Sequence, residues 1–378
     1  MINVVTKFLH NDIADLSVFD AELEHHEFDD VTVIKCNHRT TVSTYINAVS
    51  SSASTTVVLD FNDHFWYGDL AKTSTDYEFN RISISLDDII TVTTQFMDKH
   101  FVLLTENYYT LDELGNLKPA NLDVVVCPSY MYEQFGQYRN AMNAVSKSWD
   151  SNTHVLCLNN KPRIHRVGVV LYLLLLNLNT VFMSFMSREN WEDNTEYDIR
   201  SILSYVYQYS KLKDQLVNVS SRLVEFQDTA EYVYSKTPTN SHNFIANLLP
   251  VYKNTAVEII TETTAAEGTA HLTEKYVNCV FGKCFPIIIG TFKNVELYRS
   301  MGYDMFDDII DHSYDYEPNP FYRMKMAIDA NIEIISDRDL AISLHEENKE
   351  RFENNIQNYI AQYDIILGNT LGELDAFI

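Results

Sequence analysis

Short apolar runs alternate with polar, helix-like stretches through the first ~150 residues. Val31–Lys35 (VTVIK), Thr56–Asp60 (TVVLD), Phe101–Leu104 (FVLL) and Val124–Cys127 (VVVC) have the length and branched content of buried strands. Leu86–Phe96 and Tyr130–Ala144 between them have helical spacing. Strands alternating with helices predict a parallel sheet covered by helices.

The polar stretch Ser146–Thr153 (SKSWDSNT) reads as a linker, and a clearer unit follows it. His154–Leu158 (HVLCL) predicts a strand, Asn159–Arg163 (NNKPR) a turn, Ile164–Leu176 a helix and Thr180–Phe185 a second strand. That is a βαβ unit opening a second Rossmann-like domain. Residues 196–235 are amphipathic and helical. A second βαβ unit runs through Ala256–Ile260, a helix near Glu274–Phe281, and Phe285–Ile289 ending at Gly290; a helix at Asn294–Met301 leads to Gly302. From Asp337 to about Leu367, Leu340, Leu344, Phe352, Ile356, Ile360 and Tyr363 fall near helical spacing. The pattern predicts an α/β protein of two Rossmann-like domains, 1–150 and 151–336, with a C-terminal helical segment, 337–378.

Length agrees: 378 residues exceed one ordinary core. The formal charge of −25 disfavours duplex DNA or an anionic membrane as partner. Residues 1–150 carry 9 Lys and Arg against 22 Asp and Glu, so the acidity extends through the first domain. The five cysteines, Cys36, Cys127, Cys157, Cys279 and Cys284, have no zinc spacing and sit mostly in apolar runs, as reduced core residues of a cytoplasmic protein do. The N-terminus lacks the apolar region of a signal peptide. Val167–Leu176 (VGVVLYLLLL) is far shorter than the about 20 residues of a membrane span and predicts a buried helix. No GxSxG, HExxH or GxxxxGK[ST] occurs, which disfavours the common hydrolases.

Two constellations carry candidate chemistry. The first is NNKPRIHR, from Asn159 to Arg166, between a strand and a helix where open α/β sheets bind ligands. Lys161, Arg163, His165 and Arg166 crowd cations at a helix N-terminus, which the helix dipole disfavours unless an anion joins them. A diphosphate would resolve that conflict; the alternative is a solvated basic turn with Pro162 starting the helix. The second is the run from His271 to Gly290. Thr273 is a good N-cap and Glu274 suits a first helical turn, so capping alone explains both, but it does not explain Lys275. A Glu suits the two hydroxyls of a ribose, and a Lys suits a phosphate.

Thr273-Glu274-Lys275, an apolar helix, and then Cys284-Phe285-Pro286-Ile287-Ile288-Ile289-Gly290 resemble the donor-site motif of α1,3-fucosyltransferase-like enzymes. The strand segment Glu258–Glu262 (EIITE) fits upstream of it. NNKPRIHR, ITET, TEK, GYDMFDDIIDHSYD and a later Arg are together similar to a group of phage-borne glycosyltransferase-like proteins. The resemblance covers about residues 154–330 and little of the first domain. This chain departs from that pattern at His312, where a Glu is usual, and at Asn160-Lys161, where two Arg are usual. The resemblance implies a glycosyltransferase-B-like arrangement, with two Rossmann-like domains facing a cleft, an acceptor-side first domain, a nucleotide-sugar-binding second domain and a terminal helix crossing back to the first. Glu274 would hold the donor ribose, and Lys275, Arg163 and Arg166 would neutralise the departing nucleoside diphosphate. Asn159, His165, Glu258 and Thr273 join them as donor-site candidates. The nucleotide-diphosphate sugar would be a co-substrate, with no other cofactor and no metal, because fixed cations do the metal's electrostatic work.

Asp311, Tyr314 and Asp315 are candidates for binding sugar hydroxyls; a structured turn is the alternative, with Arg323 pairing one of the acids. The base that deprotonates the acceptor is expected from the first domain. Asp60, Asp63 and His64 follow a predicted strand there, with Trp66 as an aromatic platform, and Glu24–Glu27 (EHHE) is a second choice. The acceptor, whether glycan, lipid, protein or modified base, is open. Transfer to a DNA base in a phage-infected cytoplasm is a narrower version that the charge opposes. A non-catalytic nucleotide- or sugar-binding or virion protein is the competing class.

Overall fold

A computed structural model describes residues 25–28, 31–35, 42–60, 86–105, 114–126, 138, 145–159, 164–184, 249–263, 265 and 272–377. It is an α/β protein with two largely parallel sheets. The chain groups into two compact units. One comprises residues 1–133 with 267–272 and 361–378, the other 134–266 with 273–360. Of the described residues before β6, Tyr138 and 145–150 group with the second unit. The Lys147 ammonium accounts for this, donating to the carbonyls of Tyr252 (2.9 Å), Gly282 (2.7 Å) and Thr255.

The first unit holds β1 (His25–Phe28), β2 (Val31–Lys35), β3 (Thr56–Asp60), β4 (His100–Thr105) and β5 (Leu122–Val126), side by side in that order. β2 to β5 are parallel, with Val31 opposite Thr56 and Thr56 opposite His100. β1 pairs antiparallel with β2 at the edge; its sequence, HHEF, carries no strand signature, and its His25, His26 and Glu27 belong to the second candidate base, Glu24–Glu27. Helices α1 (Val42–Ser51) and α2 (Leu86–Gln95) supply Tyr45, Val49, Ile89 and Val92 to one core with Val57, Leu59, Phe101 and Leu103. Strands that advance in one direction put their right-handed crossover helices on one face, so a shared core follows. Val58 and Val102, pointing the other way, are buried as well.

The second unit holds β6 (Val155–Leu158), α3 (Ile164–Leu176), β7 (Val181–Ser184), α4 (Leu249–Tyr252), β8 (Val257–Thr261), α5 (Glu274–Gly282), β9 (Phe285–Ile289) and α6 (Asn294–Ser300). Four further helices follow: α7 (Pro320–Ala330), α8 (Ile332–Ser336), α9 (Arg338–Glu347) and α10 (Lys349–Phe377), of which α10 belongs to this unit up to residue 360 and to the first unit from residue 361. The parallel sheet runs β7-β6-β8-β9. The chain therefore steps outward from β6 to β7 and returns to the other side of β6 for β8. In sheets of this kind such a reversal leaves a ligand-binding crevice, which by this strand order falls at the carboxyl ends of β6 and β8.

Burial explains the long apolar run in α3. Residues 165–174 are all buried, and α3 packs against α7. Gly168 permits the close approach, since a Cβ there would lie 3.0 Å from the Met324 sulfur. No helix among the described residues is long and apolar enough to cross a membrane. Helices at Tyr130–Ala144 and 196–235 were expected; apart from Tyr138, these lie outside the described residues.

Candidate functional site

Three segments meet at the reversal point of the second sheet: the exit of β6 into α3, the exit of β8, and the N-terminus of α5. Asn159, one residue beyond β6, is buried, and its side-chain oxygen accepts from the Thr261 hydroxyl at 2.7 Å. Its own backbone N–H donates to the Ser184 hydroxyl at 3.2 Å, tying it to β7. His165 and Arg166, in the first turn of α3, point across to β8. His165 Nε2 donates to the carbonyl of Glu262 at 2.8 Å, which fixes its tautomer. Arg166 Nη2 donates to the same carbonyl at 3.0 Å.

Glu262 is the hub. Its carboxylate accepts from the Thr273 hydroxyl at 2.6 Å and the Tyr298 hydroxyl at 2.9 Å, while its N–H donates to the carbonyl of Ile289 at 3.0 Å. Burial pushes this carboxyl above the usual range, against the pull of Lys275 and the two hydroxyls. Thr273 is the N-cap of α5, extended in conformation, with its hydroxyl accepting from the N–H of Lys275. The Lys275 ammonium reaches Glu274 at 2.9 Å, the Thr263 hydroxyl at 3.2 Å and the Thr273 hydroxyl at 3.4 Å. Burial raises the Glu274 carboxyl, but the adjoining Lys275 outweighs it and holds the group below the usual range. Both side chains keep about a quarter of their surface open, 22% for Lys275 and 25% for Glu274.

The residues gathered here have distinct uses. The Lys275 ammonium and the hydroxyl of Thr263 form an anion-accepting edge. Glu274 can accept hydrogen bonds from a pair of hydroxyls. Arg166 and His165, each 4% exposed, are committed to carbonyls that fix the exit of β8. They shape the crevice more than they line it. Thr261, Glu262, Thr263 and Tyr298 complete the arrangement and were not expected as site residues. The available signal was position: Glu262 stands just past β8, on the ligand edge.

Other expected residues lie elsewhere. Glu258 is the second residue of β8, at the opposite end of the strand, and both its carboxylate oxygens accept from the Tyr252 hydroxyl, at 2.8 and 2.9 Å. Burial pushes it up to about 8, against the pull of that hydroxyl. Tyr314 is fully buried, and its hydroxyl accepts from the N–H of Ile288 at 2.9 Å. The Asp315 carboxylate accepts from the N–H groups of Val295 (3.1 Å) and Glu296 (3.0 Å), capping α6. Asp311 accepts from the N–H of Ser313 at 2.8 Å. These three therefore build a turn and a cap, the structural alternative, and they are not gathered with Glu274 and Lys275. Arg323 donates to backbone carbonyls, among them those of Gly290 and Ala265. Asp60 closes β3 at the carboxyl edge of the first sheet. Asp63, His64, Trp66 and Arg163 lie outside the described residues. Among the described residues no group of three or more His, Cys, Asp or Glu could hold a metal ion. Compared with protein-family models, with curated proteins and with solved structures, the chain matches none.

Proposed function

We propose that this protein is a glycosyltransferase that moves a sugar from a nucleotide-diphosphate donor to an acceptor hydroxyl or amine. The observation that carries the reading is the convergence of Asn159, Thr261, Glu262, Thr273, Glu274 and Lys275 at the reversal point of a parallel sheet. Sugar transfer builds negative charge on the departing diphosphate. On this reading the Lys275 ammonium meets that charge, and Glu274 takes the ribose hydroxyls. The Lys275–Glu274 pair opens as the diphosphate replaces the carboxylate at the ammonium. Fixed cations stabilise the leaving group without a proton or a metal, so activity survives a chelator. The glycosyltransferase-B arrangement and the acceptor-side role of the first unit, with Asp60, Asp63 or His64 as base, belong to the same proposal.

The test is calorimetric titration of the full chain with UDP, GDP, ADP and CDP and their sugar conjugates. At least one is expected to bind, and Lys275→Ala weakens it about ten- to a hundredfold, the worth of a lost charge-assisted hydrogen bond of roughly 1.5–3 kcal/mol. A chain that binds none of them, or a Lys275→Ala variant that binds like the wild type, ends this reading.

A further inference from the structure

Among the described residues, Arg323 is the largest side chain to be fully buried, at 1% exposure. It sits in the first turn of α7, behind a proline and an Asn319 cap that accepts from the N–H groups of Phe321 and Tyr322. A buried guanidinium costs several kcal/mol in lost hydration unless its donors are used, and these are. Nε donates to the carbonyl of Gly290 at 3.1 Å and Nη2 to that of Ala265 at 3.0 Å. Nη1 donates to the carbonyls of Glu317 at 2.5 Å and Pro318 at 3.2 Å. Gly290 is the first residue past β9, and Ala265 stands four residues past β8. One rigid fork therefore fixes two neighbouring strand exits on the ligand edge.

That junction bears directly on the crevice. A Cβ on Gly290 would lie 2.8 Å from Asn294 Oδ1 and 3.0 Å from Glu262 Cγ, so the exit of β9 lies close against Glu262 and leaves no room for a side chain between them. Glu262 in turn holds Thr273, the cap from which Glu274 and Lys275 project. We propose that Arg323 is a positioning residue for the donor site: by pinning Gly290 and Ala265 it sets Glu262, and through Thr273 the placement of Lys275. The proposal rests on the reading of this crevice as a nucleoside-diphosphate site. Arg323 touches no ligand; it acts through the backbone. A lysine cannot replace it, because one ammonium does not span Gly290, Ala265 and Glu317 in a plane.

The experiment measures affinity of the folded full chain for the best-binding of UDP, GDP, ADP and CDP, at a temperature where circular dichroism shows each variant folded. Arg323→Lys and Arg323→Met are compared with Gly290→Ala, which disturbs the same junction without leaving carbonyls unpaired. Gly282→Ala, at the far end of α5, controls for lost stability alone. Arg323→Lys, Arg323→Met and Gly290→Ala are each expected to lose at least tenfold in affinity, and hydrogen exchange of residues 262–275 to quicken in them. Gly282→Ala is expected to keep its affinity while its Tm falls. Junction variants that bind within twofold of the wild type overturn the proposal alone. A wild type that binds none of the four overturns the nucleotide reading and the proposal with it.

Discussion

Glu258→Gln removes a buried acid while keeping its shape, and a glutamine carbonyl still accepts from the Tyr252 hydroxyl. The wild-type carboxyl is 4% exposed, and burial raises it from 4.5 to about 8. The folded state thus holds its proton far more tightly than the unfolded chain does. Stability from this group is complete below pH 4.5 and is lost as pH rises toward 8, at about 1.4 kcal/mol per pH unit. At pH 7 the interval above 4.5 is 2.5 units, so the acid costs the fold about 3 kcal/mol there. Glutamine carries no such cost. The difference in unfolding free energy between variant and wild type is therefore expected near zero at pH 4.5, about 3 kcal/mol in favour of glutamine at pH 7, and level above about 8. Urea titrations followed by tryptophan fluorescence from pH 4.5 to 8.5 give that curve, with equal slopes as the check that the same surface is exposed. A difference that does not vary with pH, or a glutamine variant less stable at pH 7, refutes the account. The same protein decides a second point, since nucleotide affinity is expected to be unchanged; a loss would return Glu258 to the donor site.

Gly282→Ala sets a Cβ 2.2 Å from Cδ1 and 2.5 Å from Cε1 of the Tyr252 ring, which is fully buried and held by Glu258. It is expected to destabilise by about 1–3 kcal/mol or more, read as a fall in Tm. Tyr314→Phe leaves the N–H of Ile288, on the edge strand β9, without its buried acceptor and is expected to cost about 1–3 kcal/mol with donor affinity intact; lost affinity at unchanged Tm would make Tyr314 a sugar contact instead. Asp315→Ala strips the carboxylate from the first N–H groups of α6 and is expected to cost about 1–2 kcal/mol, checked by the same melt.

The strands were legible because buried parallel strands are nearly continuous apolar runs. VTVIK, TVVLD and FPIII are found at the residues read from the pattern. The edge strand β1 was not legible, since HHEF has neither an apolar run nor an apolar–polar alternation, and its place in the sheet shows only in its antiparallel pairing with β2. α7 was missed for a related reason: PFYRMKMAIDA has a weak apolar stripe, and the fully buried member of its first turn is an arginine. For the site, the sequence located the segments but not the direction of each side chain. The crowding of His165 and Arg166 at a helix N-terminus does mean that negative partners are near, yet both point at the carbonyl of Glu262. A backbone oxygen and a phosphate oxygen call for the same donors, so residue type does not separate them.

The acids of β8 carry the same lesson in sharper form. Glu258 and Glu262 share a chemistry and lie four residues apart, about 13 Å along an extended strand at roughly 3.3 Å per residue. Strand direction alone separates them: the carboxyl edge of a parallel sheet faces the ligand crevice, the amino edge does not. Counted from the start of β8, Glu262 is the acid that reaches the reversal point, and Thr273, Tyr298, His165 and Arg166 all converge on it. Glu262→Gln therefore touches every arm of the crevice at once. A glutamine can accept from only one of the two hydroxyls that the carboxylate now serves, and it sets an amide N–H₂ against the other. Donor affinity is expected to fall at least tenfold, about 1.4 kcal/mol, where Glu258→Gln changes nothing. Equal affinities for the two glutamine variants would mean that the reversal point of this sheet is not where the ligand binds.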